Sequence, residues 1–496
     1  MNFKATGTII AGMLLAGCTV SPEGLTSLEV NQFTATNVDL VVANQEPVRG
    51  SIGLYEAMAR ALKYNLDFKV EMMNEALVAR KFDLQKYDML PSLVASSGYA
   101  GRDNYAGGSS RLIRPPKTTS LAPSTSSEKN VITGDLTFSW NILDFGLSYV
   151  RAKQAANKVL IAEERRRKVV NRIIEDVRTA YWRALSAQRL VGALSRLRQR
   201  VERALRNSRS LAASGEAAPL TAMTYERELI GIKRQIYELR RDLTTAKTQL
   251  AALMNVSPGS RFSLKDSRRR GTRLSLPMKS SDMIASALRN RPELREAMIN
   301  VRITRQEADA ALLELLPGAN IYAAANIDTN DFLFNNNWLS WGAKASWNVM
   351  RLFAYPTKKA GIDAQKDLEK QRALAVTMAV MTQVHVARAK FAHSSRILAA
   401  SRDYYRVQQR IRNKVRTKTD NEASSEQTLI REEMNALVAR AKYDIAYAEL
   451  QNAYANIYAS MGVDPYPANI TRDQNIKSLA NSLRKTWVER GARFGA

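Results

Sequence analysis

From Asp135 to Asn141 the side chains alternate, with Leu136, Phe138 and Trp140 on one side and Asp135, Thr137, Ser139 and Asn141 on the other. The same period of two sets Ala319, Ile321, Ala323, Ala325 and Ile327 against Asn320, Tyr322, Ala324, Asn326 and Asp328. It returns with Leu339, Trp341, Ala343, Ala345, Trp347 and Val349 against Ser340, Gly342, Lys344, Ser346 and Asn348. Ser92–Ala100 shows it more weakly, because Val94 interrupts it. Alternation of this kind predicts strands with one apolar and one polar face. Runs of about ten residues reach across a bilayer at a tilt. A small soluble β-layer on a helical domain would carry the same pattern.

A second periodicity fills most of the remaining chain. Ile173, Val177, Ala180, Ala184, Ala187, Val191 and Leu194 step by fours and threes, and Val380, Val384, Ala387, Phe391, Ser394 and Leu398 do so later. That spacing predicts helices with a narrow apolar seam, as in a coiled coil. From about Leu147 to Ala213 there is no proline and one glycine, Gly192, which predicts a helix about 100 Å long. Breaks at Ser214-Gly215…Pro219 and at Lys418-Thr419-Asp420-Asn421 predict the tips of two helical hairpins.

The two patterns occur twice. Ala61-Leu62 and Leu90-Pro91 recur 226 positions later as Ala287-Leu288 and Leu316-Pro317. Trp140-Asn141, Met254, Val256 and Pro258 recur 207 positions later as Trp347-Asn348, Met461, Val463 and Pro465. Two constant offsets imply a duplicated unit with one insertion of nineteen residues in the first copy. The Gly-, Ser- and Pro-rich stretch 101–129 is the place for it. The expected organisation is a segment 18–50, a first repeat 51–258, a linker 259–280, a second repeat 281–465 and a tail 466–496. Its strands are expected near 91–101, 130–141, 318–328 and 338–349.

Composition adds a compartment. Lys4, an apolar run from Ile9 to Ala16, and Leu15-Ala16-Gly17-Cys18 have the form of a bacterial lipoprotein signal over residues 1–17. Cys18, the single cysteine, would be acylated after cleavage, and Thr19 behind it fits carriage to the outer membrane. No apolar run is long enough for a transmembrane helix, so entry into a membrane would be by lipid or by β-strands. The formal charge of +27 suits nucleic acid, an anionic surface or anionic cargo; export argues against nucleic acid. His385 and His393 lie eight residues apart without carboxylates at ligand spacing, and HExxH, GxSxG and phosphate-loop motifs are absent. Neither an enzyme nor a cofactor is expected, beyond the covalent lipid on Cys18.

The duplicated helix–hairpin–helix order, the Leu-Pro entry to each first strand and the exit Trp140-Asn141-Ile142-Leu143-Asp144-Phe145-Gly146 resemble the TolC family of outer-membrane efflux proteins, in its lipidated branch. The resemblance implies a mainly α fold with a transmembrane β part. Three chains would form a homotrimer in which a 12-strand β-barrel continues into a long periplasmic α-helical barrel. It further implies an exit duct of a tripartite efflux or type I secretion system, served by a periplasmic adaptor and an inner-membrane transporter and seated in outer-membrane lipid. Arg351 stands where Asp144 would be in the second copy, and the second tip lacks the glycine that Gly215 supplies in the first.

The family's adaptor contacts and acidic gate lie near the hairpin tips. Gly215, Glu216, Asp420, Asn421, Glu422 and Glu426 are therefore the candidate site residues, within Leu211–Leu220 and Val415–Gln427. As ordinary loop residues and helix caps they need no such role. The runs Arg165-Arg166-Arg167-Lys168 and Arg268-Arg269-Arg270 are either solvated surface or a positive potential in or around the tunnel. A lipid-tethered coiled-coil scaffold without a pore is the alternative function, although it has no use for the alternating strands.

Overall fold

The computed structural model describes residues 23–109, 122–214, 218–257, 259–265, 274, 276, 278–421, 425–466 and 474–494, with side chains to 489. Cys18, Gly215, Glu216, Pro258, Arg268–Arg270 and Glu422 lie outside the described residues. The first part of the chain forms α1 (Ser27–Val42), β1 (Ser51–Ile52), α2 (Leu54–Tyr64), α3 (Leu66–Tyr87) and β2 (Ser92–Gly101). A short ladder of β3 (Gly107–Gly108) with β4 (Ser124–Thr125) precedes β5 (Asn130–Asn141). Then come α4 (Ile142–Ala213), α5 (Pro219–Leu253) and β6 (Ser263–Leu264). The second repeat is α6 (Ser280–Asn290), α7 (Pro292–Leu313), β7 (Gly318–Asp328), β8 (Asn337–Ser346), α8 (Met350–Asp420) and α9 (Glu426–Ser460), and α10 (Ile476–Phe494) ends the chain. The offsets of the sequence reappear in the elements: α6 and α7 sit 226 positions after α2 and α3, and α9 sits 207 after α5.

The four long strands form one antiparallel sheet in the order β2-β5-β7-β8. The register places Leu93 opposite Phe138, Phe138 opposite Ala323, and Ala323 opposite Trp341, so one face of the sheet is apolar across all four strands. These side chains are exposed in the isolated chain, Leu339 and Trp341 among them. The opposite face is hydrogen-bonded side chain to side chain. Ser92 and Ser139 hydroxyls meet at 2.7 Å, Thr137 donates to Asp135 at 2.7 Å, Ser96 donates to Asp135, and Asn326 donates to Ser340 at 2.9 Å. β8 ends at Ser346, earlier than the alternation suggests. Trp347 leaves the ladder, and its indole donates to the Leu315 carbonyl at 2.9 Å.

Each long helix starts directly below the sheet, and each copy secures that start differently. Asn141 caps α4 by accepting from Leu143 and Asp144 at 3.0 and 3.3 Å, and Trp140 packs edge-on against Phe145 at 5.7 Å. Asp144 thus falls in the first turn of α4, where a carboxylate favours the positive helix end. Val349, at the start of α8, makes no such cap. Arg351 donates instead to the Glu314 carbonyl at the end of α7, at 3.2 Å, and Lys358 pairs with the Glu314 carboxylate. A cation on the negative end of the preceding helix replaces the anion on the positive end of the next.

The helices lie in a layer of four rails. The 72 residues of α4 and the 71 of α8 are single rods of about 110 Å. Beside α4, α3 and α5 stack end to end as one rail, and α7 and α9 do so between α4 and α8. At the first joint Asn65 accepts from Phe68 at 3.2 Å and donates to the Leu253 carbonyl at 3.2 Å. At the second, Arg291 donates to the Ala459 carbonyl at 3.1 Å. Both joints need a left-handed residue: Asn255 has φ 55° and Gly462 has φ 73°. A β-carbon on Gly462 would lie 2.6 Å from the Asn290 carbonyl carbon.

A belt crosses one face of this layer at mid-height. α2, α6 and α10 pack there with a parallel pairing of β1 and β6. Tyr181 of α4 donates to the Lys265 carbonyl at 2.9 Å, and Gln188 brackets Leu264, accepting from its amide at 2.7 Å and donating to its carbonyl at 2.9 Å. Arg178 is fully buried with its guanidinium 4.0 Å over the Trp487 ring, and burial pushes its pKa down to about 10, so it keeps its charge at neutral pH. Glu46 accepts from Lys63 at 2.9 Å and from the Ile476 amide at 3.3 Å, tying the N-terminal segment to α2 and α10.

Two outcomes follow. Gly462→Ala should weaken the second joint by at least about 1 kcal/mol, read as a lower thermal midpoint, whereas Asn255→Gly keeps the backbone unstrained and should cost only the Asn255 donation to the Val41 carbonyl. Lys63 holds the Glu46 carboxyl below its ordinary value. Its contribution is therefore present above the ordinary carboxylate pKa and lost as pH falls through the lowered folded value. Thermal melts below about pH 4.5 should show the wild type converging on Glu46→Gln, the two differing at pH 7.

Candidate functional site

The seven-residue phase of the coiled coil divides the exposed positions of α4 between two opposite faces. Lys153, Leu160, Arg167, Ile174, Tyr181 and Gln188 share one phase, the one that carries the belt. Arg151, Lys158, Arg165 and Arg172 share the opposite phase, and all four are exposed. Arg165 meets Glu296 at 2.7 Å and Arg172 meets Asp67 at 3.8 Å, while Arg151 and Lys158 have no carboxylate partner among the described residues. On that face a cavity of about 310 Å³ opens where α7 and α9 abut. Lys168 and Arg172 from α4, Arg291 from the joint and Lys390 from α8 line it, with Glu175 and Glu293. Burial and the neighbouring Asp176 raise the Glu175 pKa.

The run Arg165–Lys168 is no single patch. Arg165 reaches Glu296 of α7, Arg166 meets Glu75 of α3 at 2.5 Å, and Arg167 meets Glu164 at 2.5 Å and Asp464 at 2.9 Å. Its members fan around α4 and pin three neighbours to it, as four consecutive helical positions must.

At the tips the candidates separate. Asp420 is the last residue of α8, and Asn421 follows it; both are exposed. The helix continues through Lys418–Asp420, with the Thr419 hydroxyl donating to the Val415 carbonyl at 2.9 Å, so the break begins at Asn421, the last residue of the run marked in the sequence. Glu426 opens α9 and lies 3.8 Å from Arg200 of α4. Arg200 is the residue the sequence reading missed. Its other contact is Glu433 at 2.6 Å, and a second tie runs from α9 to α5, where Gln427 and Arg431 meet Glu228 at 2.5 and 3.4 Å. Arg200 only flanks the seam residue Val201, so the spacing of the apolar positions does not mark it. Arg209 and Glu226, at 2.5 Å, close the first hairpin on itself. Among the described residues no group of three His, Cys, Asp or Glu gathers as a metal site, and no helix is long and apolar enough to cross a membrane.

Residues 58–256 match the outer membrane efflux protein family. The whole fold is also shared with solved channels. The Campylobacter jejuni CmeC outer membrane channel superposes with a TM-score of 0.66 at 12% identity, over 93% of this chain and 97% of that one. The outer-membrane channel OprN gives 0.63 at 15% identity, over 82% and 89%. The open state of the Neisseria gonorrhoeae MtrE outer membrane channel gives 0.62 at 15% identity, over 85% and 95%. Over residues 58–256 the chain is similar to outer membrane efflux proteins, and its fold is that of these outer-membrane channels. No curated protein matches it in sequence. The proteins it resembles are transport channels of the outer membrane, not enzymes. The duplicated helix–hairpin–helix unit expected from the sequence is the architecture observed.

The Arg200 ties join the two hairpins near their tips. Arg200→Ala should lower amide protection over residues 426–435 about tenfold, equivalent to about 1.4 kcal/mol. Hydrogen exchange checks this; unchanged protection would mean that the seam alone holds the tips.

Proposed function

We propose that three copies of this chain form the exit duct of a tripartite efflux or type I secretion system. The duct conducts substrates passively from an inner-membrane transporter and a periplasmic adaptor to the exterior. The observation that carries the reading is the coincidence of open edges. The sheet is open at β2 and β8, and the helical layer is open along α3/α5 and along α8. β2 follows α3 and β8 precedes α8, so each open strand continues an open rail.

Both edges carry unpartnered apolar side chains. Val70, Met73, Leu77 and Leu84 step along α3, and Ile397, Tyr404, Val407 and Ile411 along α8; each is more than a third exposed. An unpaired strand edge is not tolerated in lipid, so one copy's β2 edge joins the next copy's β8 edge head to tail. Two copies would give eight strands, a barrel whose own side chains fill it. Three give twelve, which leaves a bore, as the family resemblance also implies.

Residues 1–17 are read as the signal, with Cys18 acylated in the outer leaflet's inner counterpart facing the periplasm. The repeats 51–258 and 281–465 form the wall. The adaptor engages the tip regions around Gly215, Glu216, Asp420, Asn421, Glu422 and Glu426. A tethered scaffold would leave the apolar sheet face in water, where about ten exposed apolar residues per copy are an aggregation hazard.

Val70→Asp with Leu77→Asp should convert the detergent-extracted trimer to monomer in size-exclusion chromatography with light scattering, and should raise cellular accumulation of a transporter's dye substrate as deletion of the gene does. Monomeric wild type, or deletion without effect on export of any dye or polypeptide tested, would contradict the duct.

A further inference from the structure

The belt decides which face of the helical layer looks inward. Turned inward, α2, α6 and α10 from three copies would pack nine helices into the bore; turned outward, they form a collar around it. The opposite face of α4 then lines the tunnel, and on it stand Arg151, Lys158, Arg165 and Arg172, one per heptad. Successive members are about 10.5 Å apart along the axis, so the four span the wall from just below the sheet to the belt. We propose, resting on the trimeric duct, that this stripe makes the upper tunnel anion-selective and that the chain exports molecules carrying carboxylate, sulfonate or phosphate groups.

The charges are arranged to act on a passing solute. Among the described residues Arg151 and Lys158 have no carboxylate partner, and Arg172 is 3.8 Å from an exposed Asp67. Only Arg165 is closely paired, to Glu296 at 2.7 Å. The cavity of about 310 Å³ continues the stripe at the level of the joint and adds Lys168 and Lys390. Its carboxylates are Glu175, which accepts from Asn456 at 3.3 Å, and Glu293, which is 3.1 Å from Arg291. Threefold repetition turns each heptad step into a ring of three cations, and successive rings at this spacing lie about one Debye length apart at physiological salt, so their potentials overlap. Low-dielectric walls concentrate such a field inside a bore.

The test is the reversal potential of purified full-length protein in planar bilayers under a KCl gradient. It is read in the wild type and in Arg151→Glu/Lys158→Glu/Arg172→Glu. A background of Arg200→Ala keeps the tips open, and trimer is confirmed by native electrophoresis. The wild type should favour chloride over potassium at least about twofold, and the triple variant should reverse that preference. Arg151→Gln/Lys158→Gln, the milder change, should reduce it without reversing it. Lys153→Glu, two residues away on the belt face, should leave it unchanged. Cation selectivity of open wild-type pores, or equal shifts from Lys153→Glu and from the stripe, would overturn the proposal and leave the duct standing. Trimers that fail to form, or that conduct nothing with the tips loosened, would remove the duct itself and the proposal with it.

Discussion

A strand edge in hydrocarbon has no water to satisfy its amides and carbonyls, and in the proposed duct that constraint organises the molecule. Each chain supplies four strands, too few to close, and so cannot be complete alone. The helical layer repeats the predicament in a milder form, because its outer rails expose apolar side chains where a neighbour is missing. The two incomplete layers are open on the same sides, since the strands at the sheet edges are continuous in the chain with the helices at the layer edges. One association therefore closes both. Sheet and helices are joined by Asn141 in one copy and by Arg351 in the other, and these contacts keep the two closures in step.

Duplication explains how one chain makes a wall with two unlike copies. The joints between stacked short helices are the same device twice, a side chain at the start of one helix donating to the last carbonyls of another. The details diverged. Asparagine serves at one joint and arginine at the other, and the left-handed residue is Asn255 in the first and Gly462 in the second. The close approach of Asn290 to Gly462 shows why only the second had to be glycine. Around the joints the belt fixes mid-height, and the buried cation Arg178 on Trp487 holds α10 against the layer without a carboxylate.

Much of this was legible in the residues. The period of two marked the strands because one face meets an apolar phase and the other a hydrogen-bonded one. The three-four steps marked the rails because their seams are narrow. The two offsets gave the repeat. Other features were not legible, each for a physical reason. Trp347 extends the alternation past β8, yet its indole finds the Leu315 carbonyl, a partner no local pattern announces. The arginine run looked like one patch, although its members reach two helices and the loop after α9, which requires knowing the rails. Arg200 bridges hairpins whose sequence separation hides the contact. The stripe Arg151, Lys158, Arg165 and Arg172 was open to view at seven-residue spacing, but its meaning depended on Tyr181 and Gln188 identifying the opposite face as the one that carries the belt.

The most direct measurement is single-particle cryo-electron microscopy of the full-length protein extracted from outer membranes into lipid nanodiscs. The account predicts a threefold ring in which β2 of each chain hydrogen-bonds to β8 of the next, with a continuous bore and the belt outside. A monomer or solid bundle, a sheet whose β2 and β8 edges remain unpaired, or a ring with the belt turned inward would contradict it.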